Sequence, residues 1–253
     1  MIWFVGAGSG AADLITVRGA RLLAGAGQVI YAGSLVNPEI LELARPEARR
    51  LDSSRLTLEE VVDACLAGER EGLLTIRLHS GDPSLYGAIR EQMDELERRG
   101  VPFGMVPGVS SLAAAAAALN IEYTRPGASQ TLILTRVAGR TPVPEAEGIS
   151  RLARHGSGLA VFLSAGRLPE LQAGLLAGGR RESDPAAIVH KASWPDERVI
   201  RCRVGELAEA GRRAGIDRTA LILVGGFLEE NRNRSRLYDP SFATGFRKAA
   251  HAD

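Results

Sequence analysis

The sequence predicts an α/β protein built from two domains, and three observations carry that prediction. Short apolar runs recur along the chain with helical segments between them. Glycine- and proline-bearing loops follow several of those runs, where an open sheet ends and a helix begins. The length of 253 residues suits two ordinary domains or one large one.

The first half shows the alternation most clearly. Ile2–Val5, Gln28–Tyr31, Leu73–Leu78 and Phe103–Val106 read as buried strands bounded by glycine or polar residues. Thr57 and Glu60 have the spacing of a capping box, and Leu58, Val61, Val62 and Cys65 then share one helical face. A second helix is expected from Leu85 to Arg98, since Tyr86, Ile89, Met93 and Leu96 repeat at helical spacing and Gly100 supplies a stop. Val109–Leu119 is alanine-rich and predicts a third helix. Helices lying between buried strands imply a mostly parallel sheet, with ligands beyond the carboxyl ends of its strands.

Asn120–Ser129, with Pro126 and Gly127, reads as a linker, so the domains are expected over 1–119 and 120–253. In the second domain Thr131–Thr135, Leu159–Leu163, Ala186–Val189 and Ala220–Val224 are strand candidates. No repeat or low-complexity stretch interrupts the pattern.

Composition narrows the class. Apolar residues make up 45% and charged residues 24%, as in soluble globular proteins. No run approaches the ~20 apolar residues that cross a bilayer, and Ile2–Val5 is not preceded by a basic leader segment. Cys65 and Cys202 stand alone, which suits a reducing, cytoplasmic setting. A net charge of +1 makes no case for nucleic acid. Among the basic residues only Lys191 and Lys248 are lysine. A GC-rich genome explains that bias, and so does a ligand with many carboxylates, which arginine forks grip in pairs.

Two loops carry the chemistry. Gly6, Gly8 and Ala11 follow the first strand in the loose form of a dinucleotide fingerprint. The second strand ends Tyr31-Ala32-Gly33-Ser34, without the carboxylate that would hold a ribose, so a nicotinamide cofactor loses its second anchor. His79–Gly87 follows an apolar strand and leads toward a helix, at a ligand-binding edge. There Gly81 permits close backbone approach and Pro83 stiffens the chain. Asp82 is placed either to cap the helix or to accept hydrogen bonds from a ligand.

Taken together, Val5–Thr16 (VGAGSGAADLIT), Ser80–Gly87 (SGDPSLYG) and Val106–Ser111 (VPGVSS) resemble the tetrapyrrole (corrin/porphyrin) methylase family over nearly the whole chain. Tyr31–Pro38 (YAGSLVNP), Pro126–Arg140 (PGASQTLILTRVAGR) leading to Thr141-Pro142, and Ser235–Arg247 (SRLYDPSFATGFR) narrow the resemblance to the precorrin-4 C11-methyltransferase group. The resemblance implies a tetrapyrrole methylase-like fold of two α/β domains with S-adenosylmethionine in the cleft between them, in a homodimer. Carried over, cofactor contacts fall on Ser9, Ser80, Gly81, Asp82, Leu85, Ser110, Ser111, Ser164 and Ala192. The chain departs from the family at Ser9, usually proline, and at Ala11, commonly aspartate. Where uroporphyrinogen-type relatives carry an acid after the second strand, Ala32-Gly33 stands here, which leaves no evident general base.

The implied reaction moves a methyl group from a sulfonium to an electron-rich ring carbon, C11 of precorrin-4, and releases S-adenosylhomocysteine. Alignment of donor and acceptor is the protein's main contribution, worth up to ~7–11 kcal/mol. His79, His155, His190 and His251 are scattered and lack metal-ligand spacing or a triad, so no metal is expected. The acceptor is an anionic tetrapyrrole, for which Arg136, Arg140 and Lys191 are the expected cations and Tyr31, Ser34 and Asn37 the expected lining. Tyr31 equally suits core packing, and Trp3 and Trp194 are assigned to packing. Alternatives that stay open are the cobalt-loaded substrate of the anaerobic route, another tetrapyrrole methylase, and a nucleotide-binding module without catalysis.

Overall fold

The structure, a computed structural model, describes residues 1–229 and 235–249. Its first compact unit comprises Met1–Ala118 together with His190–Arg198. Five strands form its sheet: β1 (Ile2–Gly6), β2 (Gln28–Tyr31), β3 (Arg49–Asp52), β4 (Thr75–His79) and β5 (Phe103–Val106). Their order is β3-β2-β4-β1-β5, and every pairing between neighbours is parallel. Helices α1 (Val17–Ala24), α2 (Pro38–Leu41), α3 (Leu58–Arg70), α4 (Arg90–Arg98) and α5 (Ser111–Leu119) complete the unit.

The side-chain alternation of a strand explains why both faces of this sheet are covered. Val5, Val29, Ile76 and Leu78 enter one apolar cluster with Leu23 and Ile40. Ile2, Phe4 and Ile30 enter the other with Val62, Cys65, Met93 and Leu96. On β4 the alternate residues Thr75, Arg77 and His79 are polar and buried.

Local signals act as expected at several boundaries. Thr57 and Glu60 close the capping box of α3, and Gly100 takes the left-handed conformation, φ +66°, after α4. The helix expected from Leu85 begins only at Arg90. Tyr86 and Ala88 lie at φ +56° and +47°, outside helical space. An added Cβ at Gly87 would come 2.2 Å from the Pro83 carbonyl oxygen, so the loop turns back on itself there. Strand β3 was not anticipated because its pattern RRLD is almost fully exposed and carries no apolar run.

The second compact unit comprises Leu119–Val189 and the chain from Val199 onward. A single cut at 119/120 therefore misassigns His190–Arg198, which packs with the first unit. Its sheet has β6 (Leu132–Arg136), β7 (Gly158–Phe162), β8 (Pro185–His190), β9 (Arg198–Arg203) and β10 (Ala220–Val224) in the order β6-β7-β10-β8-β9. Strands β6 and β7 are parallel, whereas β10 runs antiparallel to β7. Helices α6 (Ile149–Ala153), α7 (Leu168–Ala177) and α8 (Leu207–Ala214) pack around one core that includes Leu159, Leu171, Ile188, Leu207 and Ile222. No helix among the described residues is long and apolar enough to cross a membrane.

Candidate functional site

In the first unit three loops at the carboxyl ends of adjacent strands are locked together through their backbones. After β1, Ala7 N–H donates to the His79 carbonyl at 2.7 Å, and Gly8 and Gly81 exchange hydrogen bonds at 3.3 and 2.8 Å. After β5, Gly108 N–H donates to Asp82 Oδ2 at 2.8 Å. An added Cβ on Gly108 would meet the Gly81 oxygen at 2.0 Å, and one on Gly6 would meet Gly108 Cα at 2.5 Å. Glycine is required at both positions because three backbones share one space.

Gly81 differs from these two. It adopts φ +65°, yet the nearest atoms to an added Cβ are Ser110 Cα and Ser111 N at 3.8 Å. A single added Cβ at Gly81 would thus rest in ordinary contact with the start of α5, where Gly6 and Gly108 leave no such room. Ser80 is exposed and Leu85 half-buried along the same loop. Ser110 Oγ accepts from Leu112 N–H at 3.2 Å, which shapes the entry to α5.

Asp82 caps no helix. Its Oδ1 accepts from Ser84 N–H at 2.8 Å, and the Ser84 hydroxyl also donates to it. Partial burial pushes its carboxyl pKa up, but the hydrogen bonds from Ser84 and Gly108 together hold it below the usual carboxylate range. The carboxylate is therefore ionised at neutral pH and braces the junction.

The glycine turn is held from a second side. Ser9 Oγ lies 2.8 Å from Ser193 Oγ, and Trp194 Nε1 donates to the Ser9 carbonyl at 3.0 Å. Trp194 is more than packing. Neighbouring Ala192 is buried, between Lys191 at φ +49° and Ser193 at φ +67°. Left-handed non-glycine residues cost energy and gather where function over-determines the backbone. Five of this chain's, Tyr86, Ala88, Leu163, Lys191 and Ser193, lie in segments that follow β4, β7 and β8.

The expected substrate residues fare unequally. Tyr31 ends β2 and is half-buried against the core. Asn37 is buried and its amide is already engaged: it caps α2 through Glu39 N–H and donates to the Gly10 carbonyl at 3.0 Å. Lys191 is paired with Asp196 at 2.6 Å and sits over the Trp194 ring. These partners engage Asn37 in the interior, whereas the Lys191–Asp196 pair lies at the surface. The Ser34 side chain and His251 lie outside the described residues.

In the second unit, Arg136 donates to the carbonyls of Thr141 and Pro142 at 3.2 and 2.7 Å and lines a groove with Arg151 and Arg154. Arg140 is exposed, in the same loop. Ser164 is fully buried, its hydroxyl donating to Phe162 O at 2.6 Å and accepting from Val137 N–H at 2.8 Å. Any ligand contact there passes through the backbone beside it.

One carboxylate was missed. Asp52, at the end of β3, pairs in register with Tyr31. The backbone and hydroxyl of Ser54, then the backbone of Gly33, hold its carboxyl below the usual range. An acid thus reaches the end of β2 from the neighbouring strand. The sequence signal was Leu51-Asp52-Ser53-Ser54 itself, hidden because β3 has no apolar run.

The family described as Tetrapyrrole (Corrin/Porphyrin) Methylases matches residues 1–208. A cobalt-precorrin-4 C(11)-methyltransferase of Methanocaldococcus jannaschii is 44% identical, over 97% of this chain and 95% of that protein. A precorrin-4 C(11)-methyltransferase of Sinorhizobium is 46% identical, over 97% and 98%. Among solved structures, a cobalt precorrin-4 methyltransferase of cobalamin biosynthesis superposes with a TM-score of 0.88 at 44% identity, covering 90% of this chain and 96% of that one. The uroporphyrin-III C-methyltransferase of Thermus thermophilus, complexed with S-adenosylhomocysteine, gives 0.76 at 30% identity, covering 90% and 98%. With the family match spanning most of the chain and these relatives nearly all of it, the protein belongs to the tetrapyrrole methylases.

Proposed function

We propose that this protein transfers a methyl group from S-adenosylmethionine to C11 of precorrin-4, or of its cobalt-loaded form, in cobalamin biosynthesis. The observation that carries the reading is the junction of three interlocked loops, around Gly81, at the carboxyl ends of β1, β4 and β5. Support for the substrate comes from relatives at 44–46% identity over nearly the whole chain that bear this activity.

When bound, S-adenosylmethionine supplies an already activated methyl group. The residues of the first unit that would hold it are Ser9, Ser80, Gly81, Asp82, Leu85, Ser110, Ser111 and Ala192, largely through backbone. Asp82 acts by fixing the loops, which places the groups around Gly81 before the ligand arrives. Arg136 and Arg140 suit the carboxylate arms of the ring. Asp52, ionised and at the strand end beside Tyr31, has lone pairs left for ring N–H donors. A cytoplasmic homodimer is part of the same reading, supported by the family resemblance and by two unbridged cysteines.

The test is turnover of adenosylmethionine to adenosylhomocysteine with metal-free and with cobalt-loaded precorrin-4. Faster methylation of one of them names the substrate. Stoichiometric adenosylmethionine binding without turnover on either would instead support a binding module.

A further inference from the structure

We infer that Ser193 is a positioning residue for the cofactor: its hydroxyl, beside the Trp194 indole, sets the conformation of the turn Ser9–Ala11. The inference rests on assigning that turn to S-adenosylmethionine.

The case begins with where the backbone groups of the turn go. Beyond the Gly8–Gly81 bridge, the only one met by a helix is the Ala11 carbonyl, which accepts from Leu14 N–H at 3.1 Å. Instead the Ser9 carbonyl accepts from Trp194 Nε1 at 3.0 Å, the Gly10 carbonyl from Asn37 Nδ2 at 3.0 Å, and Ala11 N–H donates to Ser193 Oγ at 3.1 Å. Three successive residues thus each hand a backbone group to a side chain distant in sequence. Two of the three partners belong to one dipeptide, Ser193-Trp194. The Ser193 hydroxyl does double duty, because it also meets Ser9 Oγ at 2.8 Å. One donor and two acceptor sites allow both bonds at once. Trp194 further excludes any side chain at Gly10, where an added Cβ would lie 2.1 Å from ring Cδ1.

The clamping segment is itself tied by hydrogen bonds. Ser193 N–H donates to Glu197 Oε2 at 2.7 Å, Trp194 N–H to the Lys191 carbonyl at 2.9 Å, and Lys191 Nζ bonds Asp196 at 2.6 Å. These bonds hold Ser193 at φ +67°, a conformation a serine alone rarely keeps. Removing the hydroxyl orphans Ala11 N–H and Ser9 Oγ together and frees the turn to sample conformations that do not bind.

The strain supplies a clean test. Ser193→Gly suits φ +67° without penalty, so folding is preserved while the hydroxyl is lost. Titration calorimetry of adenosylhomocysteine onto the full chain should give about tenfold weaker binding for Ser193→Gly, equivalent to about 1.4 kcal/mol. The Tm should stay within a few degrees of wild type, and KM for adenosylmethionine should rise with kcat nearly unchanged. Ser9→Ala should weaken binding in the same direction, and Ser9→Ala added to Ser193→Gly should cost little more. Unchanged Kd and KM in Ser193→Gly, with wild type binding normally, would overturn the clamp alone. Wild type that fails to bind adenosylhomocysteine would overturn the cofactor assignment of the turn as well.

Discussion

The Asp82 carboxylate accepts the backbone N–H of Gly108 at 2.8 Å, so one side chain joins the loop after β4 to the loop after β5. Its other oxygen holds Ser84. Asp82→Ala leaves the Gly108 and Ser84 donors without their partner, and hydrogen bonds to a charged group contribute roughly 1.5–3 kcal/mol. Thermal unfolding should show a drop of several degrees, and adenosylhomocysteine affinity should fall with it. Asp82→Asn should recover part of both, since an amide oxygen still accepts. A fully stable, fully binding Asp82→Ala would mean that the loops hold without the carboxylate.

Gly108 and Gly81 should respond differently to substitution. In Gly108→Ala the new methyl meets the Gly81 oxygen at 2.0 Å, with backbone on every side. A loss of about 3 kcal/mol or more, or insoluble protein, is expected. In Gly81→Val an added Cβ would already touch the start of α5 at 3.8 Å and φ is +65°, so moderate destabilisation should come with loss of adenosylmethionine binding. Retained affinity in a folded Gly81→Val would place the ligand elsewhere.

His79 gives the protein a defined weakness to acid. Burial first, and the charge of Arg77 second, push its imidazole down to about 3. Its Nε2 is buried with no partner, and the ring stacks against Phe4. Folded His79 stays neutral, whereas the unfolded residue takes up a proton below about pH 6.5. Stability is therefore unaffected above that pH and declines by about 1.4 kcal/mol per unit as pH falls from 6.5 toward 3. Urea unfolding at several pH values should show a shallower decline for His79→Phe than for wild type. Parallel declines would remove His79 from the account.

Arg140 and Lys191, both expected to meet the carboxylate arms of the ring, should separate by partner. Arg140 is exposed, whereas Lys191 is tied to Asp196 beside Trp194. Arg140→Ala should raise KM for the tetrapyrrole severalfold with little change in adenosylhomocysteine Kd. Lys191→Ala should mainly weaken adenosylhomocysteine binding by loosening the Ala192–Trp194 segment. The reverse pattern would exchange their roles.

Much of this molecule was legible in its residues. Gln28–Tyr31, Phe103–Val106 and Ala220–Val224 are strands with the expected bounds, although of Phe103–Val106, expected to be buried, only Val106 is. The capping box at Thr57 and the stop at Gly100 depend only on residues within a turn of each other. The motifs at Val5–Thr16, Ser80–Gly87 and Val106–Ser111 named the family because their glycines answer to backbone geometry that few folds require.

What tertiary structure alone decided are the relations between distant residues. Strand β3 is polar and exposed, so only its pairing with β2 revealed that Asp52 reaches Tyr31. The helix expected from Leu85 begins only at Arg90, since Tyr86 and Ala88 take positive φ, which side-chain periodicity does not report. Ser193 and Trp194 stand more than 180 positions from Ser9, and no pattern in either segment foretold that they meet. His79–Gly87 read as a helix cap at a ligand-binding edge. Once folded it is one of three backbones meeting at a junction where Gly6 and Gly108, in the other two loops, leave no room for a side chain.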